Sequence, residues 1–232
     1  METSLHRQLK AYYAPSQAEC EVRLDGYRVD VVRGDELIEI QHASLASIRD
    51  KIARLLQAHR VLVVKPLVLR KVLVKHASRG GPVVGRRQSP KQAGLLDLFD
   101  ELVHFTRVFP HPSLTLEAAL VEVEEHRYPG HGRRHRWRVA DHQVEDQVLV
   151  HVHQRHTFRT AQDLLQILPP LPTPFHTGQL AEAAGVRRFR AQRIAYCLHH
   201  MGAVQAVGKQ GNTVLYQTAC GPRRRARPRR SA

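Results

Sequence analysis

Residues 27–41, Tyr-Arg-Val-Asp-Val-Val-Arg-Gly-Asp-Glu-Leu-Ile-Glu-Ile-Gln, constrain the fold more than any other stretch of the chain. Apolar and polar residues alternate on both sides of Gly34-Asp35, a dipeptide that suits a two-residue hairpin turn. With that turn Arg33 pairs with Glu36, and counting outward places Asp30 opposite Glu39. Directly paired side chains on adjacent strands lie about 5 Å apart, and like charges at that spacing are unfavourable unless something neutralises them. A divalent cation is the simplest neutraliser. Side chains alternate along a strand, so Glu39 and Gln41 share a face with Asp30 while Ile38 and Ile40 enter the other. Two carboxylates offer the hard oxygen ligands that Mg²⁺ takes, with water and a phosphate completing its shell. The plainer reading leaves Asp30 and Glu39 solvated on the open face of an ordinary hairpin.

Around this hairpin, residues 3–76 read as helix, three strands, helix, two strands. Leu5, Leu9 and Tyr12 fall at helical spacing after a Thr/Ser start, and Pro15 ends that helix. Alternating runs follow at 20–25, 27–33 and 36–41. Leu45, Ile48, Ile52, Leu55 and Leu56 form one apolar helical stripe, residues 61–64 read as a buried strand returned by that crossover, and 68–74 as a last strand.

On these residues the first third of the chain resembles the PD-(D/E)XK nuclease superfamily, whose core carries an aspartate on one strand and Glu-x-Lys on the next, then a helix and a strand. Asp30 matches the aspartate and Glu39 the glutamate, while Gln41 stands where lysine is usual, as it does in some members. Other members supply the lysine from the following helix, where Lys51 sits, with Arg49 close by. The resemblance implies an α/β (α+β) fold with a restriction endonuclease-like mixed sheet and flanking helices. It also implies Mg²⁺ on Asp30 and Glu39, and DNA cleavage in which Lys51 or Gln41 positions the attacking water and stabilises developing charge. Members often carry a glutamate on the first helix, and here only Glu2 stands near its start. Members often act as dimers, so the resemblance allows a homodimer, although no interface can be read.

Composition bears on the partner. Lysine and arginine number 36 against 21 acidic residues, a formal net charge of +15, and such a field attracts polyanions. The C-terminal part agrees. Residues 177–186 read as a short helix and a glycine turn, and a second helix from about 188 buries Ile194, Leu198 and Met201. A strand, a tight tip at 209–212 and a returning strand follow. Residues 174–217 thereby resemble a winged helix, whose second helix enters the major groove. Arg187, Arg188, Arg190, Gln192, Arg193 and Lys209 are the expected DNA contacts. The last twelve residues hold six arginines and read as a disordered basic tail.

These readings divide the chain into a nuclease-like domain at 1–78, a basic Gly/Pro linker or loop at 79–93, and a middle helix and strand segment at 94–172. A winged-helix domain at 173–218 and a tail at 219–232 complete it. No stretch approaches about 18 apolar residues, so no membrane partner is expected and the cytoplasm is the expected compartment. Glycine-rich phosphate loops and Gly-x-Gly-x-x-Gly patterns are absent from the sequence, so no small-molecule cofactor is expected. Aromatic residues make up 6% of the chain, which argues against a stacking platform for single strands; His199-His200 reads as one packed and one exposed ring. The expected function is Mg²⁺-dependent DNA cleavage. The rival is a non-catalytic DNA-binding regulator that keeps an inactive nuclease-like fold, and a third reading is an adaptor using both modules for protein contacts.

Overall fold

Gly34 adopts a φ of +61°, which the first position of a tight hairpin turn needs, and the register follows: Arg33 pairs with Glu36, Val32 with Leu37 and Val31 with Ile38. The computed structural model describes residues 3–14, 18–130 and 142–219. Helix α1 (Ser4–Tyr13) and strand β1 (Glu19–Leu24) precede the hairpin of β2 (Tyr27–Arg33) and β3 (Glu36–Ile40). Then come α2 (Arg49–Leu55), β4 (Arg60–His76), β5 (Val83–Gln88), α3 (Leu98–Leu102), β6 (Leu114–Pro129) and β7 (His142–Phe158). Three helices, α4 (Ala161–Leu165), α5 (Thr177–Ala183) and α6 (Arg188–His200), lead to a hairpin of β8 (Val204–Gln210) and β9 (Thr213–Thr218).

Seven strands make one mixed sheet in the order β1-β2-β3-β4-β6-β7, with β5 added on β4. Pairings β3-β4 and β4-β6 are parallel and the others antiparallel. A parallel pair needs a crossover, and α2 supplies it between β3 and β4. Alternate residues of the central strands feed two cores. Val31, Ile38, Ile40, Leu62, Val64, Ala119 and Val121 pack under Leu5, Leu9 and Tyr13 of α1. Val29, Leu37, Val61, Val63, Leu116 and Ala118 pack on the other side with Ile52 of α2 and Leu98, Phe99 and Leu102 of α3. The chain is thus a mixed α+β protein with a large sheet and flanking helices. Among the described residues no helix is long and apolar enough to cross a membrane.

Three local expectations change. The helical stripe of α1 closes on Tyr13, which is buried and donates its hydroxyl to Glu117; Tyr12 is exposed, with Arg155 over its ring. The stretch expected to be a linker is paired: β5 runs antiparallel to residues 72–76 of β4, and the Ser89 and Ala93 amides bond back to Lys71 and Val68 carbonyls. Its residues are almost all exposed, so backbone bonding and the Arg86–Glu124 ion pair hold it, and neither leaves an apolar pattern to read. The middle segment is likewise continuous with the N-terminal one, since β6 and β7 extend the same sheet. Residues 131–141 of the middle segment, Glu2 and the tail from 220 onward lie outside the described residues.

The C-terminal helices join the core beside α3: Leu180, Ala191, Ile194, Ala195 and Leu198 belong to the same buried cluster as Phe99 and Phe105. Gly185 ends α5 with a φ of +61°, letting its own amide and that of Val186 turn back to the Glu182 and Ala181 carbonyls. A shared core implies shared cooperativity. Phe99→Ala, at a fully buried site, should cost about 3–5 kcal/mol. Urea unfolding followed by far-ultraviolet dichroism and by hydrogen exchange should show sheet and C-terminal helices lost in one transition. Two separated transitions would show independent units.

Candidate active site

The Asp30–Glu39 pair expected from the turn is not formed, because both residues leave the ladder where β2 parts from β3. The paired positions of this hairpin reach Val31 and Ile38, and there the alternation of β2 changes: Val29 lies in the core under α2, whereas Val31 lies in the core under α1. Residues two apart in a regular strand share a face, so the chain shifts at Asp30. In place of a strand carbonyl, Asp30 Oδ2 accepts the Ile40 amide at 2.8 Å. Its Oδ1 lies 3.2 Å from His6 Nε2 on α1.

Glu39 sits on the α2 side of the sheet at 7% exposure. Lys51, on the second turn of the crossover, reaches it with Nζ 2.6 Å from Oε1 and also donates to the Arg28 carbonyl. The other carboxylate oxygen, Oε2, is buried without a hydrogen-bond partner among the described residues. Burial and the nearby Asp30 push the Glu39 carboxyl above its ordinary range, and Lys51 offsets this only in part. Burial also acts to raise Asp30, but His6, the Ile40 amide and Lys51 outweigh it and hold that carboxyl below its ordinary range. The two acids are driven apart in affinity for a proton, as happens where one stays ionised while its neighbour resists ionisation.

Of the residues singled out by the hairpin pattern, Lys51 meets Glu39 on the α2 side, Asp30 lies in the fork with His6 of α1 against it, and Gln41 does not join them. The Gln41 side-chain amide donates to the Ser44 carbonyl, at 2.8 Å, and to the Ser47 hydroxyl, closing the loop between β3 and α2. Arg49 pairs with Asp50 at the surface. Two further residues hold this loop. Lys65 is buried and donates to the carbonyls of His42, at 3.0 Å, and of Ala43; Glu101 accepts the Leu45 amide at 2.9 Å and lies 3.5 Å from the Lys65 ammonium. His6 is the site residue that the motif pattern missed. Its position next to Leu5, at the edge of the buried stripe of α1, is the signal that pointed there. Among the described residues no group of three or more histidine, cysteine or acidic side chains is placed to hold a metal ion.

The basic face divides as well. Arg187, Arg188, Gln192 and Lys209 are exposed. Arg190, expected to point outward, is half-buried and lies 2.9 Å from Asp97 and 2.8 Å from Asp100, while Arg193 is exposed as expected but is engaged 2.9 Å from Asp100. A helical wheel shows which side of α6 is apolar, but not that α3 brings two carboxylates alongside the rest. Arg188 and Gln192 line a groove of about 280 Å³ between α6 and the β8–β9 hairpin, with Asn212 and Thr213 opposite.

Residues 3–159 match the family described as a domain of unknown function, DUF8091. The chain is also similar to an uncharacterized protein of Treponema pallidum (strain Nichols), 31% identical over 219 residues that cover 93% of this chain and 85% of that one. No solved structure matches.

The Glu39 assignment carries a pH signature. Because its folded pKa is raised, the stability tied to the protonated acid is intact below the ordinary glutamate value of 4.5 and is lost as pH rises through the folded value. Glu39→Gln removes that loss. The variant should therefore melt higher than the parent at neutral pH and gain less in acid, as scanning calorimetry would register; an equal gain at both would exclude ionisation of Glu39 as the cause.

Proposed function

The chain belongs to the DUF8091 domain family, and we propose that it is a magnesium-dependent nuclease acting on DNA, built on a restriction endonuclease-like core with a winged-helix module at its C-terminal end. The observation that carries this reading is the buried Glu39–Lys51 pair, with one Glu39 oxygen left without a partner and Asp30 in the adjoining fork near enough to push the Glu39 carboxyl up. That donor set fits a hard divalent cation, which takes one or two carboxylates and completes its shell with water and phosphate oxygens. Asp30 and Glu39 would hold it, and when bound it would supply Lewis acidity and a more acidic water.

The remaining work falls to the chain. Lys51 places a fixed positive charge beside the carboxylates, where negative charge develops on a phosphodiester under attack. His6 and the Ile40 amide fix the Asp30 carboxylate in its ionised form and orientation. Gln41, Lys65 and Glu101 hold the loop that joins Glu39 to Lys51, so the distance between these two does not depend on a free loop. The formal charge of +15 supports a polyanionic substrate, and the exposed Arg187, Arg188, Gln192 and Lys209 offer it a docking face.

Asp30→Ala and Glu39→Ala should abolish Mg²⁺-dependent cleavage of plasmid and linear DNA while anisotropy shows binding retained. Lys51→Ala should slow cleavage by about 10²–10³-fold, the usual cost of removing one charge-stabilising donor. Binding without cleavage under any divalent ion would favour the regulator. Arg188→Ala and Lys209→Ala should each reduce the slope of log affinity against log salt by about 1. Arg190→Ala and Arg193→Ala should leave that slope alone and lower the thermal midpoint instead. A salt slope that responds equally to all four would overturn this division.

A further inference from the structure

Composition argues against exposed rings, yet the groove beside α6 is lined with them. Tyr196 is 41% exposed and stacks on His200, their centroids 4.0 Å apart and their planes tilted by 32°. One of the pair His199-His200 is expected to be packed, but His199 is exposed as His200 is, and it meets His200 at 5.6 Å and Tyr216 at 6.0 Å in edge-to-face contacts. Four rings therefore run along the groove without interruption. Arg188 and Gln192 stand on the helix beside them, and the hairpin tip brings Asn212 and Thr213 to the opposite wall. The pattern is local: Tyr196 and His200 are four residues apart on α6, the spacing that lets two side chains stack on a helix surface. Neither ring is spent on the interior, since the buried side of α6 is built from Ala191, Ile194, Ala195 and Leu198.

Two properties select an occupant for this groove. Its rings offer planar, polarisable surface of the kind on which a nucleobase stacks, an interaction that is indifferent to sequence because every base has a π face. Its cations and amides suit the phosphate that follows the base. Bases inside a duplex are already stacked on each other and present only their edges, so the ring surface is of use only to a base released from pairing.

We propose that this groove seats an unpaired base of a DNA strand, so that the C-terminal module distinguishes duplex ends or gaps with single-stranded extensions from continuous duplex. The proposal rests on the DNA-binding reading above and adds the class of DNA structure to it. The test uses the full chain in chelator, so that cleavage does not interfere, with one labelled duplex sequence either blunt or extended by a single-stranded overhang. Fluorescence anisotropy should show the extended probe bound about tenfold more tightly, equivalent to about 1.4 kcal/mol. Tyr196→Ala and His200→Ala should each erase most of that preference and leave the affinity for blunt duplex unchanged, whereas Tyr196→Phe, which keeps the ring, should retain it. Both side chains are exposed, and unchanged melting curves would confirm that the variants fold. Equal affinity of the parent for the two probes, or a preference that survives Tyr196→Ala, would overturn the proposal. Failure to bind either probe at low salt would overturn the DNA reading beneath it as well, so the two failures are told apart.

Discussion

The hydrogen bond from the Ile40 amide to the Asp30 carboxylate is the contact on which the geometry of the site depends. An edge of β3 has to be satisfied where β2 departs, and a side-chain oxygen does it in place of a strand carbonyl. Satisfying the amide this way lets the two strands diverge without leaving a buried donor unpaired, which would cost as much as a lost hydrogen bond. It also ties the position of one acid to the backbone of the strand that carries the other. The carboxylate spacing is therefore a property of the sheet.

Charge is disposed around that fork with little slack. Glu39 is buried against α2 and raised in pKa, while Asp30 is held ionised by a histidine, an amide and a lysine. Such an arrangement is costly for folding, because Lys51 offsets the burial of Glu39 beside a second acid only in part, and an apolar pair in the same place would carry no such cost. Elsewhere in the same sheet Glu125 bonds to Lys71, Arg127 and Gln147, which hold its pKa below the ordinary range against the effect of burial.

The parts of the fold legible in the sequence were those fixed by neighbours along the chain. A glycine turn and alternating residues set the register of β2 and β3, and the crossover length set Lys51 within reach of Glu39. What was not legible depended on elements distant in sequence. Nothing within α6 announces that Asp97 and Asp100 will take Arg190 and Arg193 as ion-pair partners. Gln41 was read by its place in a motif, whereas the loop ahead of α2 had a nearer use for its amide. His6 escaped because the comparison sought a carboxylate on the first helix and an imidazole stands beside Asp30 instead. The rings of α6 were visible one by one, but a percentage conceals that Tyr196, His199 and His200 are gathered on one short stretch.

The buried cluster that includes Phe99 of α3 and Ile194 of α6 also includes Val29, the neighbour of Asp30. The interval between the acidic fork and the ringed groove is therefore set by packed hydrocarbon. A nucleic acid strand anchored at one would meet the other at a constant offset, as an object meets the graduations of a ruler, whatever its sequence.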